Sequence, residues 1–155
     1  MGFLEPTIMK SKYSNWFEIK VKSEKVQEDG SSKKVAEIYI VEADTFTEAE
    51  SGIIKYAEEF GLKEVGIVSI KRANFSEIFF SEEGSDDTCF KIKVAFTSID
   101  EKTEKEKRYC INYLVQGSSI DKAKLNFKEA FEDTMADYII QSIAETPIIY
   151  IIQNV

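Results

Sequence analysis

The feature that most constrains this chain is a stretch that occurs twice. Trp16-Phe17-Glu18-Ile19-Lys20-Val21 returns as Cys89-Phe90-Lys91-Ile92-Lys93-Val94. Ile38-Tyr39-Ile40-Val41-Glu42-Ala43 is echoed by Asn112-Tyr113-Leu114-Val115-Gln116-Gly117, Phe46-Thr47-Glu48-Ala49 by Ile120-Asp121-Lys122-Ala123, and Ser69-Ile70 by Ser142-Ile143. The offset holds at 73 or 74 residues from end to end. A repeat that keeps its spacing over so many segments implies one structural unit used twice, so each local pattern is read in pairs.

Phe17, Ile19 and Val21 alternate with Glu18, Lys20 and Lys22, the period-two signature of a half-buried strand over about 15–26. Glu28-Asp29-Gly30-Ser31-Ser32 reads as a hairpin turn, with Gly30 free to take a positive φ. The next strand, about 34–43, is apolar on both faces: Ala36, Ile38 and Ile40 on one, Val35, Tyr39 and Val41 on the other. A strand covered on one side alone does not look like that, so its second face is expected to be packed as well. Thr45 and Glu48 have capping-box spacing, and Ala49, Ile53, Tyr56, Ala57 and Phe60 form the inner stripe of a helix over about 46–60 that Gly61 ends. A third strand spans about 64–72, continuing after a kink through Glu77-Ile78-Phe79-Phe80.

The polar stretch from Ser81 to Asp87 joins the halves. The second copy then predicts strands over 88–98 and 107–116 around a turn at 100–105. A helix follows from Ser118 or Ser119 to about Asp133, with Ala123, Phe127, Ala130 and Phe131 inside, then a strand over 137–144. After Pro147, Ile148-Ile149-Tyr150-Ile151-Ile152 is a last apolar strand. Left at an open edge it would invite aggregation, so it is expected to be paired, within the chain or across a dimer. The expected fold is α+β: one domain over 1–155 of two β-β-α-β(β) repeats, about 15–80 and 88–152. They would form an antiparallel sheet with two helices about a pseudo-twofold axis, preceded by an N-terminal arm, 1–14, in which Ile8 and Tyr13 are the docking candidates. At 155 residues a chain buries roughly 70% of its unfolded surface, enough for a real core.

Chemistry is constrained mainly by what is missing. The chain has no histidine, which removes the commonest general base, the usual nucleophilic triads and most zinc sites. No phosphate-binding glycine loop is present. Asp86-Asp87 and Asp100-Glu101 are carboxylate pairs in loops, but a hard cation needs a full set of converging oxygens, and a solvated acidic loop is the simpler reading. Cys89 and Cys110 fall on strands of the second repeat, read as reduced thiols that are possible cross-strand neighbours. With no apolar run long enough to span a membrane and no leader-like start, the expectation is a non-enzymatic cytoplasmic protein without cofactor or metal.

Charge sorts by repeat element. The net charge is −8, which opposes binding to polyanions. Yet Lys10, Lys12, Lys20, Lys22, Lys25, Lys33 and Lys34 gather on the arm and first hairpin. Lys91, Lys93, Lys102, Lys105, Lys107 and Arg108 gather on the second, while Glu42, Asp44, Glu48, Glu50, Glu58, Glu59 and Glu64 surround the first helix. Period two puts Trp16, Lys20 and Lys22 on one outward face, along with Glu18, and Lys91 and Lys93 on its counterpart. Lysines beside an aromatic ring on a sheet are the ingredients of a single-strand platform, where phosphates meet ammonium groups and a base stacks, at about 1–3 kcal/mol per stacked base. The bland alternative is a solubilising face that blocks edge pairing. The candidate nucleic-acid-binding set is Trp16, Lys20, Lys22, Lys33, Lys34, Lys91, Lys93, Lys107 and Arg108, probed by single-stranded nucleic acid on a homo-oligomer.

The chain resembles an uncharacterised family of short proteins from Bacteroides-type gut bacteria and their crAss-like phages. The resemblance is carried by Trp16 to Val21, Ala43-Asp44-Thr45-Phe46-Thr47-Glu48-Ala49-Glu50, Ile70-Lys71-Arg72, Asp100-Glu101-Lys102, Glu104-Lys105-Glu106-Lys107, Leu114-Val115-Gln116 and Ser142-Ile143-Ala144-Glu145-Thr146. It brings no established activity and implies a phage or mobile-element setting. In outline the architecture is also similar to the duplicated sheet-plus-helix single-strand binders of the Pur-alpha and Whirly kinds, with a different order of elements. Single-stranded nucleic-acid binding as a replication accessory is one expected role. The other is a phage-encoded inhibitor that sequesters a host defence protein or nucleotide signal, which the acidic total charge favours for a basic partner.

Overall fold

The computed structural model describes residues 8–10, 15–131 and 137–153; most of the expected arm, including Lys12 and Tyr13, lies outside them. The elements run β1 (Ile8–Lys10), β2 (Trp16–Val26), β3 (Ser32–Glu42), α1 (Phe46–Glu59), β4 (Lys63–Arg72), β5 (Glu77–Ser81), β6 (Thr88–Ile99), β7 (Glu106–Gly117), α2 (Ile120–Ala130), β8 (Tyr138–Glu145) and β9 (Ile148–Ile152). The fold is α+β. Helix α2 ends at Ala130 with Phe131 as its C-cap, and the expected extension to Asp133 lies outside the described residues.

The strands form two sheets in two compact units. The first unit is Asn15–Asn74 completed by the segment from Pro147 onward; the second is Phe75–Thr146 with β1. Strand order is β4-β2-β3-β9 in the first and β8-β6-β7-β5-β1 in the second. The two sheets share one plan, and their registers coincide. Phe17 lies opposite Val41 as Phe90 lies opposite Val115, and Ile19 opposite Ile70 as Ile92 opposite Ile143. The β2–β4 ladder slips between Lys20 and Val21, and the β6–β8 ladder slips at the matching place, between Lys93 and Val94.

The fourth strand departs from the expected arrangement. Strand β5 follows β4 along the chain, yet it pairs in parallel with β7 of the second unit; β9 follows β8, yet it pairs in parallel with β3 of the first. Each sheet is therefore mixed rather than antiparallel, and Glu77–Ser81 does not extend the third strand of its own repeat. Alternating apolar residues dictate that a segment is a strand but do not name its partner.

Helix starts follow from the caps. The Thr45 hydroxyl accepts from the Glu48 amide at 3.1 Å, and the Ser119 hydroxyl accepts from the Lys122 amide at 3.1 Å. The reciprocal arm of the first box lands one residue early: Glu48 Oε2 accepts from the Asp44 amide at 3.0 Å. At the far end of α1, Gly61 takes φ +65° and the Leu62 amide reaches back to the Ala57 carbonyl at 2.9 Å, a left-handed helix stop. Gly30 takes φ +83° in the first hairpin.

One core fills each unit. Ala49 and Ile53 of α1 pack on Phe17, Ile19, Val21, Tyr39 and Val41. Phe127 of α2 packs on Phe79, Ile92, Val94, Phe96, Tyr113 and Val115. Where α2 begins, the backbone comes so close to β7 that a Cβ on Gly117 would sit 2.8 Å from the Ala123 nitrogen and 2.9 Å from its Cα. The matching residue of the first unit is Ala43, buried at 3% exposure. Because backbone cannot yield as a side-chain tip does, Gly117→Ala is expected to cost about 1–3 kcal/mol. In urea melts, Ala43→Gly, which removes only a methyl group, should cost less.

Candidate nucleic-acid interface

In an antiparallel pair, residues directly opposite share a face. On β2 and β3 the helix-free face carries Trp16, Glu18, Lys20, Lys22 and Glu24, opposite Glu42, Ile40, Ile38, Ala36 and Lys34. On β6 and β7 it carries Cys89, Lys91, Lys93, Ala95 and Thr97, opposite Gln116, Leu114, Asn112, Cys110 and Arg108. Lys20, Lys22, Lys34, Lys91, Lys93 and Arg108 are all exposed. The first unit thus brings together Lys20, Lys22 and Lys34. The second brings together Lys91 and Lys93, with Arg108 four residue steps further along, about 13 Å at strand spacing.

Three members of the expected set fall elsewhere. Trp16 shares the lysine face but is 2% exposed, so no base can stack on its ring. Its neighbours on that face, Ile40 and Ile151, are also buried: the face is apolar at one end and cationic at the other, and Trp16 belongs to the apolar end. Lys33 and Lys107 lie opposite Lys25 and Ser98, on the helix-bearing faces, because each is an odd number of residues from the lysine rows.

Among the described residues no ion pair reaches Lys20, Lys22, Lys34, Lys91, Lys93 or Arg108, although Glu18 and Glu24 share the face of the first row and Glu24 lies directly opposite Lys34. The ion pairs among the described residues are Lys71–Glu18 at 3.0 Å, Lys25–Glu37 at 3.1 Å and Lys122–Glu83 at 3.2 Å. None involves Lys20, Lys22, Lys91 or Lys93, and Lys71 from β4 pairs with Glu18, the carboxylate two residues before Lys20 on the same face. Around Lys91 and Lys93 the cross-strand neighbours are Leu114, Asn112, Ala144 and Ser142, all uncharged.

The carboxylate loops do other work. Asp86, 4% exposed, accepts from Ser81 Oγ at 2.6 Å and from Asn126 Nδ2 at 3.1 Å; Asn126 Nδ2 also donates to the Gln116 carbonyl at 2.8 Å. Asp100 Oδ1 accepts from the Lys102 amide at 2.9 Å, fixing the second hairpin turn. Among the described residues no three cysteine, aspartate or glutamate side chains converge as a cation site, and no helix is long and apolar enough to cross a membrane.

Sequence reasoning missed a second concave surface, in the first unit. Gly52 stands seven residues past the N-cap of α1; at the same place on α2 stands Asn126. A groove of about 510 Å³ lies between α1 and β9, walled by Val41, Glu42, Glu48, Lys55, Glu59 and Ile152, and a Cβ on Gly52 at its floor would sit 3.0 Å from Val41 Cγ1. Beside it Tyr56 stacks on Phe60 at 4.5 Å and on Tyr150 at 5.5 Å between ring centroids. Phe60, expected inside, is 63% exposed. The apolar strand 148–152 and the acidic helix were both visible in sequence, but nothing local placed them side by side.

A family model described as a domain of unknown function (DUF4494) matches residues 15–154. The chain belongs to this family. No curated protein and no solved structure matches it. The match covers both units of this DUF4494 chain, so the lysine rows and the groove lie within the shared domain.

Titration behaviour follows burial. Desolvation pushes the Cys89 thiol up to about 11. Desolvation, with Glu37 adding, pushes Tyr39 up to about 12, and desolvation with Glu77 does the same for Tyr113. A raised folded value means the folded state holds its proton more tightly. The associated stability is complete below the unfolded values, 9.0 for the thiol and 10.0 for the tyrosines, and is lost as pH rises through the folded ones. Urea midpoints should therefore begin to fall above pH 9 and fall steeply between pH 10 and 12, in step with tyrosinate absorbance. Cys89 lies opposite Gln116 and Cys110 opposite Ala95, six steps apart and about 20 Å at strand spacing. They are not cross-strand neighbours, and both are free.

Proposed function

We propose that this chain is a non-enzymatic binding protein that holds single-stranded nucleic acid along its two lysine rows, as an accessory to phage or mobile-element replication in a cytoplasm. The observation that carries the reading is the matched placement of Lys20 and Lys22 with Lys91 and Lys93. They are exposed, on helix-free sheet faces, outside the ion pairs of the described residues, in a chain whose net charge is −8. With Trp16 buried, base stacking contributes little and phosphate contact carries the affinity. Such binding is indifferent to base sequence and dependent on salt: the two lysine–phosphate contacts of each row give a slope of about −1.4 in log affinity against log salt.

Fluorescence anisotropy with a labelled oligothymidine and its RNA counterpart tests this. Saturable binding at low ionic strength is expected, with that slope. Lys20→Glu with Lys22→Glu should weaken it at least about tenfold, and adding Lys91→Glu with Lys93→Glu should abolish it, since each lost contact is replaced by repulsion. Absence of binding at the lowest salt, or binding indifferent to all four reversals, would end the proposal.

A further inference from the structure

Helices α1 and α2 occupy matching places in the two units, yet their exposed faces carry opposite charge. At an offset of 74 residues, Glu50 on α1 answers to Lys124 on α2, Glu48 to Lys122 and Lys55 to Glu129. The exposed apolar residues differ as well. Ile54 of α1 is 43% exposed where α2 has Lys128, and Leu125 of α2 is 59% exposed where α1 has Ser51. Lys122 already pairs with Glu83. Glu50, Glu58, Lys124 and Lys128 are exposed and outside the ion pairs of the described residues. Asp121 falls outside the inversion, since α1 has Thr47 there.

Beside Ile54 the first unit has a further groove of about 420 Å³ between α1 and β4, walled by Ile54, Leu62, Val65 and Ile67, with Glu50 and Glu58 at its rim. Ala57 also lines it. At the place of Ala57 the second unit has Phe131, whose ring packs on Phe79, Tyr113, Phe127 and Tyr138. We propose that this groove receives α2 of a second copy of the chain, with Leu125 entering between α1 and β4 while Lys124 and Lys128 meet Glu50 and Glu58. Burial of Leu125 against Ile54 and the β4 residues supplies the attraction, and the charges decide which surfaces meet. Groove against groove would bring Glu50 and Glu58 of both copies together, and α2 against α2 would set lysine on lysine. Because the two surfaces differ, the contact is head-to-tail, and each copy keeps one surface of each kind for the next. The net charge of −8 repels copies at long range, so the contact is weak and forms at high concentration. It uses no residue of the lysine rows, so failure of polynucleotide binding leaves it standing.

Sedimentation equilibrium of the full chain, from about 10 µM to about 1 mM, tests this. The mean mass should rise with concentration without levelling at a dimer. Two variants each give one helix the exposed residues of the other. Glu50→Lys with Ile54→Lys spoils the groove, and Lys124→Glu with Leu125→Ser spoils α2. All four positions are exposed, so both variants should keep native Trp16 emission. Each alone should associate at least about tenfold more weakly than the unaltered chain. An equimolar mixture should regain the unaltered affinity and stop at a one-to-one dimer, because one intact groove then meets one intact α2. A chain that stays monomeric at the top of the range overturns the proposal, as does a mixture that associates no better than its parts. So does either variant associating alone as well as the unaltered chain, which is the result that pairing of like surfaces would give.

Discussion

Removal of everything from Pro147 onward is expected to unfold the first unit while the second keeps its secondary structure. The deleted segment supplies β9, which pairs with β3 from Ile38 to Val41 and buries Ile148 and Ile151. Buried isoleucines cost about 2–5 kcal/mol each when cut back to alanine. Losing two, with the hydrogen bonds of a parallel ladder, approaches the roughly 5–15 kcal/mol that holds a whole domain together. The chain has a single tryptophan, Trp16, buried on β2 of that same unit. Its emission should move to that of a solvated indole in the truncated protein, while the far-ultraviolet signal of the second unit persists. A truncated chain with native Trp16 emission would show that three strands and α1 suffice.

Phe79→Ala should have the largest effect of any single substitution in the second unit, about 3–5 kcal/mol in urea denaturation. Phe79 is fully buried on β5, and its ring meets Tyr113 at 5.7 Å, Phe127 at 6.0 Å and Phe131 at 5.8 Å, the last edge-on. Truncation leaves a cavity among three rings that cannot collapse together. A loss below about 1 kcal/mol would mean that β5 contributes hydrogen bonds but little packing.

The elements of this fold were largely legible in the sequence because each announces itself locally. Phe17, Ile19 and Val21 alternate; Thr45 and Ser119 cap; Gly30 and Gly61 take the positive φ their positions demand. The double apolar face of Val35 to Val41 also signalled correctly that Ile40 would be buried on the helix-free side. Partnership was not legible. Ile78 and Phe79 read as a strand, but their pairing with β7 rather than with their own repeat depends on contacts far along the chain. Trp16 was misjudged for a related reason. Period two gives the face a side chain occupies, and Lys20 and Lys22 do share it, but whether that face is wet at a given height depends on what packs there. The groove beside Gly52 was invisible because its walls come from β3, α1 and β9, and β9 lies about a hundred residues further along the chain.

The exchange of fourth strands also sets a timetable for synthesis. A ribosome releases β2, β3, α1 and β4 first, yet the strand that closes their sheet is made only after β5 to β8. Until it emerges, the free side of β3, with Ile38 and Ile40, stands open in the nascent chain while β5 to β8 can already assemble. The half translated first is therefore the half that matures last, and it is the one that depends on being shielded in the interval.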